Sequence, residues 1–252
     1  TRFRNVTGVQ TCALPILPMK KSYYQTKGTG KKYLNTMGAA VNKIINFIRV
    51  SVVFLLVVFV MPAYAQIRIV ALGDSQIRGM GVSPSESYPA QLERALQGKG
   101  YNVTVSNAGV NGGTTQGMLD RLGEAVRPGT NIVVISCGGN DLKTAYANKV
   151  VPNLMELVRK LRAQNIEVIL FRLMGWGAES VINDRVAADF TREGAVVIPA
   201  MQDGISTNPK LHVEDSVAFA KGTSWHLNGA GYSIVVQRTL PIVEQAISRI
   251  KN

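Results

Sequence analysis

Ser75, Gly109, Asn140 and His226 are the residues of this chain whose types and order could do chemistry together. Ser75 follows the apolar run IRIVALG (67–73) and precedes a stretch of helical period. Its hydroxyl is therefore expected at the rim of a sheet, with its own N–H at a helix terminus that favours negative charge. His226 opens HLNGAGY, just before the last helical segment, and can take a proton from a serine and return it to a leaving group. Gly109 offers a main-chain N–H with no Cβ to obstruct a substrate, and Asn140 offers a side-chain amide N–H. With the N–H of Ser75 these make three donors for an oxyanion, and the chemistry of the set is acyl transfer through a serine ester. Each residue also has a plain structural use: a capping serine, a turn glycine, a turn asparagine, a buried histidine.

These residues need a scaffold, and the apolar pattern supplies one. Strand-length runs rich in Val and Ile recur at 67–73, 101–109, 131–139, 166–175 and 195–200. Between them lie SYPAQLERALQGKG, TTQGMLDRLGEAVRPG, VVPNLMELVRKLRAQN and ESVINDRVAADFTREG, in which apolar residues recur at three and four. A final helix is expected in NGAGYSIVVQRTLPIVEQAISRI, bent or restarted at Pro241. This alternation predicts a doubly wound α/β domain, a parallel five-stranded sheet between two helical layers. Ligands of such sheets sit beyond the carboxyl ends of the strands, where Ser75, Gly109 and Asn140 fall.

The segment before residue 66 reads differently. VTGVQTCALPI (6–16) matches the translation of a sequencing-library adaptor, so residues 1–18 are expected to be no part of the natural protein. A basic stretch, the apolar run VSVVFLLVVFV and the triplet Ala63-Tyr64-Ala65 then make residues 19–65 a secretory leader, starting at Met19 or Met37. The run falls short of the roughly 20 apolar residues that span a bilayer, so cleavage and no stable membrane anchor are expected, an uncleaved anchor being the alternative. No Cys follows the triplet to carry a lipid.

Nine of the 28 Lys and Arg residues precede Gln66 while all 16 acidic residues follow it, which leaves 19 against 16 in residues 66–252. The strongly basic total therefore does not point to nucleic acid. Cys137 is the sole cysteine of that part; no disulfide framework or paired-Cys metal site is possible there, and a small buried residue is expected. His212, beside Glu214 and Asp215 in LHVED, is the rival histidine, but the polar surroundings suggest a solvated loop and no third metal ligand is apparent.

ALGDS, NAGVNGGTT, GGND and HLNGAGY, taken in order, resemble the sequence blocks of the SGNH hydrolases, the GDSL esterase and lipase superfamily, and most of all its acyl-CoA thioesterase, lysophospholipase and arylesterase branch. The resemblance covers residues 66–252 and implies a flavodoxin-like fold of three αβα layers, with no G-x-S-x-G elbow of the α/β-hydrolase kind. It implies Ser75 as nucleophile and His226 as base, an oxyanion hole of Ser75, Gly109 and Asn140, and Asp74 and Asp141 as supports. No metal or organic cofactor is implied, and the partner is a small acyl ester or thioester met in the periplasm or outside the cell. Two positions depart from the pattern: Gln76 stands where the family has Leu, and Thr223 where it has the Asp that orients the histidine. Thr223 itself, a main-chain carbonyl, or a carboxylate such as Asp215 or Asp203 is left to hold the ring. The reading is an exported esterase or thioesterase for short- to medium-chain acyl groups. A carbohydrate O-acetyl esterase and a binding protein weakened in catalysis are its alternatives.

Overall fold

A computed structural model describes residues 35–49, 51, 66–173, 181–213 and 226–250. Backbone contacts divide the chain into Thr1–Ala63 and Tyr64–Asn252. In the first unit residues 35–49 form helix α1. Residues 1–18 and, Ser51 apart, the apolar run and its Ala63-Tyr64-Ala65 triplet lie outside the described residues.

In the second unit strands and helices alternate. The order is β1 (Ile67–Gly73), α2 (Ser75–Arg78), α3 (Tyr88–Gly98), β2 (Val103–Gly109), α4 (Thr115–Asp120), α5 (Leu122–Ala125) and β3 (Ile132–Ser136). After these come α6 (Val150–Arg162), β4 (Glu167–Phe171), α7 (Asp184–Arg192), β5 (Ala195–Ile198) and α8 (Gly229–Ile250). Every pairing is parallel and the strand order is β2-β1-β3-β4-β5, the doubly wound topology with its switch point between β1 and β3.

Period-two alternation sends successive side chains to opposite faces, and both faces are apolar because both are covered. Ile67, Ile69 and Ala71 of β1 join Ile132 and Val134 of β3 against Tyr88, Leu92 and Leu96 of α3 and Val235, Val236 and Val243 of α8. Val70 and Leu72, with Val133 and Ile135, face Met118 of α4, Leu154, Leu157 and Leu161 of α6, and Phe190 of α7. The register then sets the rim. Gly73 stands opposite both Gly109 and Ser136, so β1, β2 and β3 end level and their loops open on the same edge.

The elements are shorter than their apolar runs. β3 stops at Ser136 because the chain turns at once, with Gly138 at φ 120°, and β4 stops at Phe171. β2 begins only at Val103, after the turn at Gly100 (φ 86°). The expected single helix at 114–129 is two, α4 and α5, parted at Arg121, whose backbone (φ −101°, ψ 10°) leaves the helical region. Pro241, by contrast, does not interrupt α8. It is exposed, as is Gln237, whose carbonyl would have received the missing N–H and can be hydrated instead.

Candidate active site

Ser75 is the first residue of α2, and its Oγ lies 2.8 Å from Nε2 of His226. A hydroxyl donating to a bare imidazole nitrogen at that distance is the contact a general base requires. Asp74 sets up the serine from the other side. It caps α2, its Oδ1 accepting from the Gln76 N–H at 2.9 Å, and its own N–H reaches across to the Ser136 carbonyl at 3.3 Å. Only 6% exposed, it has its carboxyl pushed up to about 6, first by burial and further by the nearby charge of Asp141, against the hydrogen bond from Gln76.

His226 is braced by a neighbouring segment. His212 and Leu227 form an antiparallel bridge; the Val213 N–H donates to the His226 carbonyl at 3.0 Å, and the Asn228 N–H to Leu211 at 2.9 Å. Asn228 also caps α8 by accepting from the Gly231 N–H at 3.1 Å, while its amide donates to the carbonyls of Lys210 (2.8 Å) and His212 (3.1 Å). Tyr232, buried in α8, donates to the Gln76 carbonyl at 2.8 Å and ties the two helix starts together. His212, expected in a solvated loop, is instead 5% exposed, its Nδ1 donating to the Asn208 carbonyl at 2.8 Å. The antiparallel bridge draws it inward, and its place is structural.

The side of the site that holds Asn140 is organised around one carbonyl. Asn140 donates through Nδ2 to the Gly113 carbonyl at 2.9 Å, which leaves a second amide N–H on the same nitrogen. Asp141, 1% exposed, accepts from the Thr115 N–H at 3.1 Å and the Thr115 hydroxyl at 2.6 Å, and Asn153 donates to that hydroxyl at 3.0 Å. The loop after β3 is thereby pinned to the start of α4. Asp141 is a support, through groups no short motif announces: Thr115 and Asn153 are read from the fold alone.

Gly109 closes β2 at the rim, opposite Gly73. Its N–H donates to Oδ1 of Asn107 at 3.0 Å, and a Cβ on it would collide with the Arg78 nitrogen. The glycine is there because β2 runs against the backbone of α2. The turn that follows holds another glycine. Gly113 donates to the Val110 carbonyl at 2.9 Å, and Gly112 between them has φ 71°, a left-handed conformation that suits glycine. A Cβ on Gly113 would lie 3.5 Å from the Asp74 Cα, so this turn rests on the residue before Ser75. The Asn111-Gly112 pair in the sequence is the turn signal that could have singled it out.

Of the groups proposed to orient His226, Thr223 and Asp215 lie outside the described residues. Asp203 is exposed and its main-chain carbonyl accepts from Arg238. Among the described residues no cluster of three or more His, Cys, Asp or Glu side chains could hold a metal ion. Cys137 is buried and donates weakly to the Gly113 carbonyl at 3.5 Å.

A Ser–His contact at the carboxyl rim of a β2-β1-β3-β4-β5 parallel sheet, beside an Asn and a glycine turn, defines the SGNH class of fold. The chain belongs to the GDSL-like Lipase/Acylhydrolase family, which residues 71–234 match. It is 34% identical over 119 residues to the Pseudomonas aeruginosa protein named Esterase TesA, the match taking in 46% of this chain and 58% of that one. The chain thus spans little more than half the length of this relative. With thioesterase 1/protease 1/lysophospholipase L1 of Escherichia coli it shares 27% identity over 172 residues, 64% of this chain and 80% of the relative. Among solved structures, AlinE4, a SGNH-hydrolase family esterase, is 27% identical with a TM-score of 0.53, covering 72% of this chain and 96% of its own. A structure of TesA, 24% identical with a TM-score of 0.59 over 71% of this chain and 99% of its own, shares the fold.

The buried carboxyl of Asp74 makes a pH prediction. Its value of about 6 lies above the ordinary 3.8, so between these values the folded protein holds a proton the unfolded chain has lost. The contribution to stability is fully present below the unfolded value and is lost as pH rises through the folded one, a difference of about 3 kcal/mol. Asp74→Asn keeps a capping side chain without the charge. In urea melts it should gain on the parent between pH 4 and pH 7 by about that amount; a difference independent of pH would contradict the assignment.

Proposed function

We propose that the protein hydrolyses carboxylic esters or thioesters through an acyl-enzyme. The observation that carries the reading is the 2.8 Å contact of Ser75 Oγ with His226 Nε2 at the end of β1. In the first step Ser75 Oγ bonds to the acyl carbon while its proton passes to His226. Collapse of the tetrahedral species breaks the bond to the leaving oxygen or sulfur, which takes that proton from Nε2. Water then attacks the acyl-serine by the same route, giving the acid and the free serine. The oxyanion is held by the Ser75 N–H, the second amide N–H of Asn140 and, in place of Gly109, the N–H of Gly112.

Residues 66–252 are proposed as the hydrolase domain, behind a leader at 19–65 that directs export to the periplasm or beyond, with 1–18 an adaptor translation. What supports export is the basic, apolar and Ala-x-Ala order of that leader; no helix among the described residues is long and apolar enough to cross a membrane. The small residues of NAGVNGGTT and the loop 142–150 favour a short or medium acyl chain. A second reading, release of acetyl groups from carbohydrate, is favoured by a cleft of about 720 Å³ adjoining His226. Ser83, Glu86, Lys210 and Asn228 line it, a polar wall that suits a hydroxylated leaving group. Turnover of p-nitrophenyl esters of rising chain length, acyl-CoA and acetylated xylan by the purified protein separates these substrates; inertness toward all of them would leave only a binding protein.

An organophosphonate should label Ser75 alone, and Ser75→Ala should abolish turnover; labelling at Ser206 with the Ala variant still active would sink the mechanism. Asn140→Ala should lower kcat by about 100- to 1,000-fold with KM little changed, since an oxyanion donor acts in the transition state. On the orienting group, Thr223→Asp should raise kcat several-fold, because a carboxylate there stabilises the imidazolium. Loss of turnover in Asp215→Asn or Asp203→Asn alone would instead place the acid at that residue.

A further inference from the structure

Arg121 is the residue at which the 114–129 helical segment breaks, and its side chain explains where it goes. Half-buried, it donates from Nη1 to the Ala108 carbonyl at 2.8 Å and from Nη2 to the Gly73 carbonyl at 2.9 Å. These two side-chain hydrogen bonds thus go to main-chain oxygens, one at the end of β2 and the other at the end of β1. Such a use of a cation is uncommon, because a partly buried charge ordinarily takes an acid partner. The Gly73 carbonyl also accepts the Val110 N–H at 3.1 Å, so a single oxygen gathers the guanidinium and the first residue of the glycine turn.

The position of these carbonyls gives the contact its meaning. The β1–β2 ladder ends at the pair Gly73 and Gly109. Beyond it one chain turns into Asp74 and Ser75 and the other into the 110–113 turn, and the bond from the Val110 N–H to the Gly73 carbonyl is a single main-chain link that leaves their relative slide to be set by other contacts. A guanidinium is planar and presents its N–H groups in a fixed fork, so holding both carbonyls at once sets the slide and spacing of the two chain ends. We propose that Arg121 is a positioning residue for catalysis. It locks the strand end that carries Ser75 to the turn that carries the Gly112 N–H, and so holds the nucleophile and the oxyanion donors in mutual register without touching substrate. The inference rests on the esterase reading above.

The cost of losing such register is known in scale: a misplacement of about 1 Å can lower a rate by about 100-fold. Arg121→Ala in the full chain should therefore lose about 10- to 100-fold in kcat on p-nitrophenyl acetate, with KM within about twofold of the parent. The rate of Ser75 labelling by an organophosphonate should fall in parallel, because that reaction uses the same nucleophile and donors. Arg121→Lys, with a charge but no fork, should fall between. Methylguanidinium added at millimolar concentration should return part of the kcat of Arg121→Ala and none to Ser75→Ala, a recovery that a purely structural role would not produce. If Arg121→Ala does not fold, Arg121→Lys and Arg121→Gln are read in its place, with thermal melts to confirm the folded fraction. A folded variant with unchanged kcat, a loss confined to KM, or no recovery with methylguanidinium would overturn the proposal. If the parent itself turns over no ester, the esterase reading fails and takes this inference with it; a working parent with unaffected Arg121 variants fails the inference alone.

Discussion

Ser75 and His226 lie 151 positions apart in sequence and 2.8 Å apart in space, and much of the domain is arranged to make that distance possible. A contact between the first strand's end and the last helix's start closes only if the whole sheet is assembled between them. β1 lies inside the sheet, with β2 on one side and β3 on the other, and α8 packs back across it against α3. The loop-closure entropy of so long a separation is met by apolar burial on both faces of the sheet. The polar contact itself is a small term in stability, so it reads out the fold more than it maintains it.

At the rim the energetic logic reverses. Asp74 and Asp141 are both nearly sealed from water, and each repels the other's charge, yet each is committed to main-chain N–H groups that fix a loop. Burying carboxylates this way costs stability, and the gain is positional: Asp74 holds the start of α2 and Asp141 the start of α4. Ser75 and the turn before Thr115 are therefore carried on ends that cannot relax independently. A site built from loops acquires the precision of the elements beneath it.

Much of this was legible in the sequence and some was not, for physical reasons that differ by residue. Val- and Ile-rich runs separated by helical periods announce a parallel sheet, because both its faces are buried and the pattern is strong. Ser75 and His226 were visible because they sit at element boundaries, where chain direction constrains what a side chain can face. What Gly109 does was less legible, because a glycine needed for a close backbone approach, as here against Arg78, looks the same in sequence as one needed for an open N–H. The support given by Thr115 and Asn153 to Asp141 was invisible, since it joins residues 26 and 38 positions apart whose types are common everywhere. Arg121 was read as part of a continuous helix; helix propensity is local, and the two carbonyls that draw its side chain inward come from other elements.

Cys137 carries a practical consequence. It is the free cysteine of the described residues, 4% exposed, with its thiol held well above the ordinary range by burial and by the charges of Asp74 and Asp141. A solitary thiol is a hazard to any chain that meets an oxidant, since an accessible thiolate can couple two molecules. Sealed and protonated behind the rim, this sulfur is closed to oxidants and alkylating reagents for as long as the strand ends stay together. Its reactivity is therefore an intrinsic clock for rim opening, one atom that reports how often this edge of the sheet breathes.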